Sequence, residues 1–64
     1  MRDARINPVA GDVLTIGMKQ WKVTQVSLPM ICVVRDEVVH SQMWAHQFRS
    51  FFKLASTVRY GDEA

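Results

Sequence analysis

Residues 41–56, SQMWAHQFRSFFKLAS, place six large apolar side chains in one segment without glycine or proline. Five residues recur at the intervals i, i+4, i+7, i+8 and i+11, the spacing of a helix face that packs on a core: Trp44, Phe48, Phe51, Phe52 and Ala55. Ser41 suits the N-cap position, because its hydroxyl can accept a hydrogen bond from the free backbone N–H groups of a first helical turn. The segment therefore predicts an amphipathic helix over 41–56.

The apolar face of this predicted helix has a centre and two edges. Phe48 and Phe52 lie at the centre, and burying each is worth roughly 1.5–3 kcal/mol, comparable to the net stability of a small domain. Trp44 and Phe51 lie at the edges, together with Met43, and two interpretations stay open for them. They either close the rim of the core or remain exposed, as aromatic side chains at binding sites do.

The opposite face of the predicted helix is polar and carries no acid. His46, Arg49 and Lys53 make this face basic, so it is a candidate contact for an acidic partner. The alternative is an ordinary solvated helix face. Together with Trp44 and Phe51, these three basic residues form the predicted partner-binding site.

Residues 12–41 read as antiparallel strands. The segments DVLTI, QWKVTQVS, MICVVR and VVHS are rich in β-branched and aromatic residues, and turn-forming stretches separate them. Val26 falls out of step with Trp21 and Val23, which predicts either a bulge or a strand covered on both faces. The pair Asp36-Glu37 is a poor sequence for a tight two-residue turn, which favours Asn-Gly or Asp-Gly.

The ends of the chain are predicted to be simpler. Residues 1–10 are expected to form an extended arm, because Pro8 holds Asn7 out of the helical region. Residues 57–64 are expected to form a short strand or a tail. A chain of 64 residues is one domain at most. The predicted fold class is α+β, with a small antiparallel sheet or open barrel of four to five short strands packed against one C-terminal amphipathic helix.

The net charge of +2 is too small to name a partner, but the distribution of charge is informative. No acid lies between Asp12 and Asp36, or between Glu37 and Asp62. The predicted strands and helix therefore carry mainly positive charge. The possible nucleic-acid contacts outside the helix are Lys19, Lys22 and Arg35.

Residue types that carry chemistry are scarce. Cys32, His40 and His46 are the only soft metal ligands, and their spacing matches no metal motif, so we expect no metal and no cofactor. Cys32 lies in the most apolar predicted strand, where a thiol is expected to be buried and inert. With three glycines in all, the chain offers no glycine-rich phosphate loop. We therefore expect a protein that is not an enzyme.

Cysteine content and hydropathy suggest a location. A single cysteine is typical of a reducing compartment. The longest apolar runs are far shorter than the roughly 20 residues that a membrane-spanning helix needs, and the N-terminus has no signal-peptide pattern. The predicted location is the cytoplasm, without membrane insertion.

Two resemblances add to these expectations. GDVLTI followed by WKVTQV, within residues 11–26, resembles the opening hairpin of small SH3-like barrels, including the KOW-type modules of nucleic-acid machinery. The whole chain, with NPVAGDVL, WKVTQV and FRSFFKLA, resembles short uncharacterised proteins encoded in phages and prophages. Several proteins of that kind are anti-CRISPRs or other inhibitors of host defence. The second resemblance implies an inhibitor whose partner is a host or phage protein, such as a CRISPR-Cas subunit, and it assigns no residue roles.

Three hypotheses about function follow. The first is a protein-binding module or inhibitor that uses Trp44 and Phe51, flanked by the basic helix face, on a partner with an acidic surface. The second is a small nucleic-acid-binding barrel that uses Lys19, Lys22 and Arg35 with the basic helix face. The third is a subunit that assembles through an edge strand or by dimerisation, since the sequence leaves the oligomeric state open.

Overall fold

The computed structural model describes residues 2–62 and has one small α+β domain. Five antiparallel strands form one open sheet, and one short helix packs on it. The elements in chain order are β1 (Val13–Ile16), β2 (Lys19–Ser27), β3 (Met30–Arg35), β4 (Val39–Trp44), α1 (Ala45–Phe51) and β5 (Ser56–Arg59). The predicted fold class is confirmed.

The sheet has the strand order β4-β3-β2-β1-β5, so β4 and β5 are its two edges. Three successive hairpins connect β1 to β4, and β5 returns to pair with β1. The register of β2 against β3 shifts between Val23 and Gln25. This irregularity returns Val26 to the side that packs against the core, so the predicted bulge is confirmed.

The core lies between the sheet and α1. Phe48 and Phe52 are completely buried, as their central place in the aromatic stripe predicts. Their rings lie 4.5 Å apart between centroids and pack with side chains from the inner face of the sheet. The sheet contributes Leu14, Trp21, Val23, Ile31 and Val33.

The predicted helix is wrong at both of its limits. Residues 41–44 belong to β4, where Met43 pairs with Ile31 and packs against the core. Trp44 is still extended, and its backbone N–H donates to the side-chain oxygen of Gln47. This bond caps the first turn, so α1 begins at Ala45 instead of following a Ser41 cap. The cross-strand ladder with β3 pairs the backbone groups of Ser41 and Met43, and Met43 packs against the core, so this segment stays extended.

The helix also ends early. Its last turn closes with the Phe52 N–H donating to the Phe48 carbonyl, and a tight turn follows over residues 52–55, with the Ala55 N–H donating to the Phe52 carbonyl. This turn buries Ala55 and leaves Leu54 exposed. The chain then enters β5, which is the short final strand that the sequence predicts.

The N-terminal segment is not an extended arm. The backbone N–H groups of Ile6 and Asn7 both donate to the Asp3 carbonyl, which makes a turn over residues 3–7. Ala4 and Pro8 are buried. The segment therefore packs as part of the domain, because its small apolar side chains fill a space beside the core.

The hairpin between β3 and β4 turns at Asp36 and Glu37, which have φ angles of 51° and 64°. The Val38 N–H donates to the Arg35 carbonyl and closes the turn at 3.0 Å. Positive φ at two successive residues is the conformation for which Asn-Gly is favoured. The tight turn thus forms with a sequence that is poorly suited to it, and backbone strain is stored here.

Replacing Glu37 by glycine is expected to raise the free energy of unfolding by about 0.5–1 kcal/mol. A left-handed conformation costs an ordinary residue about 1–2 kcal/mol, a cost that glycine avoids. Part of this stabilisation is offset, because glycine has more conformational freedom in the unfolded chain and loses it on folding. Urea unfolding followed by tryptophan fluorescence would measure the change. Glu37→Ala is the control, because it removes the carboxylate but not the strain. An equal gain in both variants would show that charge is the cause.

Candidate protein-binding surface

An aromatic side chain lies half exposed at the C-terminal end of α1. Phe51 is 51% exposed, and its ring centroid lies 5.5 Å from that of Trp21 and 4.9 Å from that of Phe52, both in edge-on packing. The two neighbours are buried, so they hold Phe51 in one orientation. Leu54, in the turn that follows, is 92% exposed. We name Phe51, Lys53 and Leu54 the Phe51 patch.

One cation lies within this patch, and a second pairs with Trp21 across the sheet. Lys53 is exposed within the patch. On the sheet, Arg35 is the cross-strand partner of Trp21, against which Phe51 packs. Val39, in the edge strand β4, is in turn the cross-strand partner of Arg35, so the three residues form one row across the sheet. The row lies on the side of the sheet that α1 covers. The patch is therefore an apolar surface with positive charge beside it.

The residues predicted for partner binding do not form one surface. Phe51 and Arg49 are two positions apart in α1, so they point about 200° away from each other around the helix axis. Arg49 belongs to the side that faces the N-terminal segment, where its Nε donates to the Ile6 carbonyl at 3.2 Å. His46 is exposed on the outward side of the helix. Of the predicted set, Lys53 is the residue that follows Phe51 in the chain, two positions later, at the exposed C-terminal end of α1.

Trp44 is 46% exposed, so the exposed interpretation holds for it as well as for Phe51. However, it lies on the other side of the sheet. Met43 points towards the core, and successive side chains of a strand alternate, so Trp44 shares the outer side with His40 and Gln42. Its ring is in none of the aromatic pairs found among residues 2–62.

The cations proposed for nucleic-acid contact are also divided. Trp21 points into the core, so Lys22, the next residue, points to the outer side of the sheet. Arg35 lies opposite Trp21 on the helix side. Lys19 begins β2 at the tip of its hairpin. On the outer side, Lys22 and Arg59 instead flank Val13, which is the cross-strand partner of both.

A partly buried ionic cluster and a separate ion pair account for three of the acids. Asp12 is completely buried and accepts four hydrogen bonds, two from Arg2 at 2.6 and 3.1 Å and one each from the backbone N–H groups of Val9 and Gly61. Arg2 also binds Asp62, and its guanidinium lies 4.9 Å from the Tyr60 ring centroid. In a separate pair, Arg5 binds Asp3.

This cluster shifts the pKa values of its members. Burial opposes ionisation of Asp12, but the hydrogen bonds from Arg2, Gly61 and Val9 more than offset it, so the pKa of this carboxyl lies below its ordinary value. Hydrogen bonding from Arg2 likewise lowers the pKa of Asp62, and hydrogen bonding from Arg5 lowers that of Asp3. All three carboxylates are therefore charged at neutral pH.

Because three of the five described acids are in salt bridges, the charged side chains of residues 2–62 that are in no salt bridge are mostly positive. Within residues 2–62, only Asp36 and Glu37 among the acids are in no salt bridge. Six cations in the same range are in none: Lys19, Lys22, Arg35, Arg49, Lys53 and Arg59. These cations are spread over both sides of the sheet and over the helix, so they do not form a single basic stripe.

Cys32 differs from its prediction. It is half-buried, and it lies on the outer side of β3 with Val34 and not in the core. Its carbonyl accepts a hydrogen bond from the Thr24 hydroxyl. His40 is its diagonal neighbour on β4, without a hydrogen bond between them. In the described part of the chain, no three His, Cys, Asp or Glu side chains come together as a metal site.

Comparison with protein-family models, with curated proteins and with solved structures gives no match to this chain. No helix within residues 2–62 has the length and hydropathy required to cross a membrane. The surface itself is therefore the basis for a functional interpretation.

Sequence reasoning missed two parts of this surface. Leu54 was not among the predicted binding residues, and it is exposed because α1 ends at Phe51 and a turn follows. The ionic cluster joins residues that are far apart in the sequence. The only feature of the sequence that could have indicated it is the presence of charged residues near both ends of the chain.

Proposed function

We propose that this chain is a non-enzymatic protein-binding module that uses the Phe51 patch to contact a partner with an acidic surface. The observation that carries the proposal is the half-exposed Phe51 ring, held edge-on by two buried aromatic rings. A side chain fixed in this way loses little conformational entropy on binding, which is why rigid aromatic residues are frequent binding hot spots.

The charge around the patch supports an acidic partner. Arg35 is the cross-strand partner of Trp21, against which Phe51 packs, and Lys53 lies in the turn after α1, which ends at Phe51. Only two described acids, both in the hairpin between β3 and β4, are in no salt bridge. Cations at the rim of an interface mainly increase the rate of association and select against basic partners. The dispersion of cations over several faces favours a protein over a nucleic acid as the partner, because a nucleic-acid site usually carries a concentrated basic footprint.

The narrower proposal is that the partner is a subunit of a host defence complex, such as a CRISPR-Cas protein, and that the chain is encoded by a phage or prophage. It is supported by the small size of the chain, the scarcity of catalytic residue types and the resemblance described for the sequence. A cytoplasmic location belongs to the same proposal.

Leu54→Ala and Phe51→Ala are each expected to weaken partner binding by roughly tenfold or more, because truncating a hot-spot side chain costs about 2 kcal/mol. The tagged chain would capture proteins from a lysate of the organism that encodes it, and the affinity of the captured protein would be measured by calorimetry. Far-UV circular dichroism would check the fold of each variant.

Leu28→Ala is the matched control, since Leu28 is 72% exposed in a different hairpin and the chemical change is the same as at Leu54. The control should bind like the original chain. Equal affinities for all variants would overturn the Phe51 patch as the binding surface. Salt-sensitive binding to DNA or RNA, unchanged by Leu54→Ala, would favour the nucleic-acid alternative.

A further inference from the structure

The outer edge of β4 has none of the usual protection of an edge strand. Natural edge strands avoid pairing with other chains by means of charged side chains, proline, bulges or very short length. β4 has six residues, VHSQMW, with no Asp, Glu, Lys, Arg or Pro, and its register against β3 is unbroken. Within residues 2–62, β3 is its only neighbour in the sheet.

The backbone groups available at this edge can be identified. The Ala45 N–H donates to the Pro29 carbonyl at 2.8 Å, which continues the register of β3 against β4. Because hydrogen-bonded pairs alternate along an antiparallel ladder, Met43, Ser41 and Val39 exchange their bonds with β3. The N–H and carbonyl groups of His40 and Gln42 therefore point away from the sheet, whereas the outward N–H of Trp44 donates to the side-chain oxygen of Gln47.

The strand is complementary to itself in one register. If two copies of β4 pair antiparallel around a two-fold axis at Ser41, His40 lies opposite Gln42 of the second copy, and both have outward backbone groups. On the helix side of the sheet, Val39 meets Met43. On the outer side, Val38 meets Trp44, so apolar side chains face apolar ones.

We infer that β4 pairs with β4 of a second copy of this chain, in antiparallel register centred on Ser41, to form a dimer with a continuous sheet. Absence of charge along β4 lets two identical strands meet without repulsion. The contact covers side chains that are otherwise exposed, namely Val38 (75%), Val39 (42%) and Trp44 (46%). A two-fold interface of this kind forms every contact twice, which is the usual symmetry of small homodimers.

The dimer uses different residues from the proposed function. The Phe51 patch lies in α1 and the turn after it, whereas the dimer contact lies in β4. Either proposal can fail without the other, because Leu54→Ala tests partner binding and leaves β4 unchanged. A dimer would carry two Phe51 patches and could bind a repeated or dimeric partner more tightly than a monomer.

Gln42→Pro is the variant that tests the pairing. Proline removes the outward N–H of Gln42 and leaves the bonds between β4 and β3 in place, as is tolerated at a sheet edge. Sedimentation equilibrium across roughly two decades of concentration should give a dimer of about twice the 7.4 kDa chain mass for the original protein. Gln42→Pro should weaken dimerisation about tenfold or more. Gln42→Ala keeps the N–H and should dimerise like the original chain.

Engineered cysteines test the register. With Cys32 replaced by alanine, Ser41→Cys should form an intermolecular disulfide on mild oxidation, because facing residues in this pair lie about 4.5 Å apart at Cα. Gln42→Cys in the same background should not, because its counterpart would be a diagonal neighbour about 7–8 Å away. A monomer at every concentration, a dimer indifferent to Gln42→Pro, or cross-linking through Gln42→Cys in preference to Ser41→Cys would each overturn the inference.

Discussion

Asp12→Asn is expected to lower the free energy of unfolding by about 3–5 kcal/mol, the cost of breaking a buried ion pair by removing one partner. Both Asp12 oxygens accept two hydrogen bonds each, from Arg2 and from the backbone N–H groups of Val9 and Gly61. Asparagine would turn an NH₂ group towards two of these donors. Because a domain of this size has a net stability of only about 3–5 kcal/mol, much of the variant should be unfolded at room temperature.

Asp62→Asn is the matched control for this prediction. It makes the same chemical change in a carboxylate bound to the same arginine, but Asp62 is 60% exposed at its side chain. Solvent-exposed ion pairs contribute little to stability, so this variant should remain folded. Urea unfolding followed by circular dichroism would compare the two. If the free energy of unfolding fell by similar amounts in both variants, burial of Asp12 would not be the reason why its ion pair stabilises the fold.

The same cluster sets a direction for pH dependence. Because the pKa of Asp12 is lower in the folded chain than in the unfolded chain, its contribution is fully present above the ordinary aspartate pKa of about 4. That contribution is lost as pH falls through the lower folded value. The original chain should therefore become less stable below about pH 4, and the dependence should be shallower in Asp12→Asn, where Asp3 and Asp62 remain.

Phe52→Ala is expected to lower the free energy of unfolding by about 3–5 kcal/mol, because it leaves a cavity at the centre of the core. Phe52 is completely buried and packs against Phe48, Phe51 and Trp21, so few neighbours can move to fill the space. The dispersion of amide signals in an NMR spectrum would report the loss of the folded state.

Phe51→Ala serves as the control for Phe52→Ala. The same ring is removed from the adjacent residue, where half of it already contacts water, so the loss should be close to 1 kcal/mol. The variant should stay folded, which is also what the partner-binding experiment requires. If the two variants were equally destabilised, the division of the aromatic segment into a core part and a surface part would be incorrect.

Much of the fold could be predicted from periodicity alone. The helical spacing of Phe48 and Phe52 indicated the core face, and β-branched runs indicated the strands. The limits of the helix could not be predicted, because residues 41–44 suit a helix by composition. Their conformation is decided by the ladder with β3, a contact between segments about ten residues apart in the sequence.

The candidate surface was only partly predictable, for a related reason. The spacing of Phe51 placed it correctly at the edge of the helix face. A helix that begins at Ala45 instead of Ser41 leaves Trp44 in a strand, and strand alternation sends it to the other side of the sheet. The pairing of Arg2 with Asp12 and Asp62 depends on the return of β5 to β1, which no local pattern encodes.

The close approach of Gly61 to the turn before β1 has a further consequence for protein engineering. A Cβ atom at Gly61 would lie 2.3 Å from the Ala10 carbonyl, so only glycine lets the last turn sit against the first. Arg2 and Asp62 meet at that point, and Asp62 follows β5 at one edge of the sheet. A substitution at Gly61 would therefore separate the two described ends of the chain and weaken the ionic contacts between them.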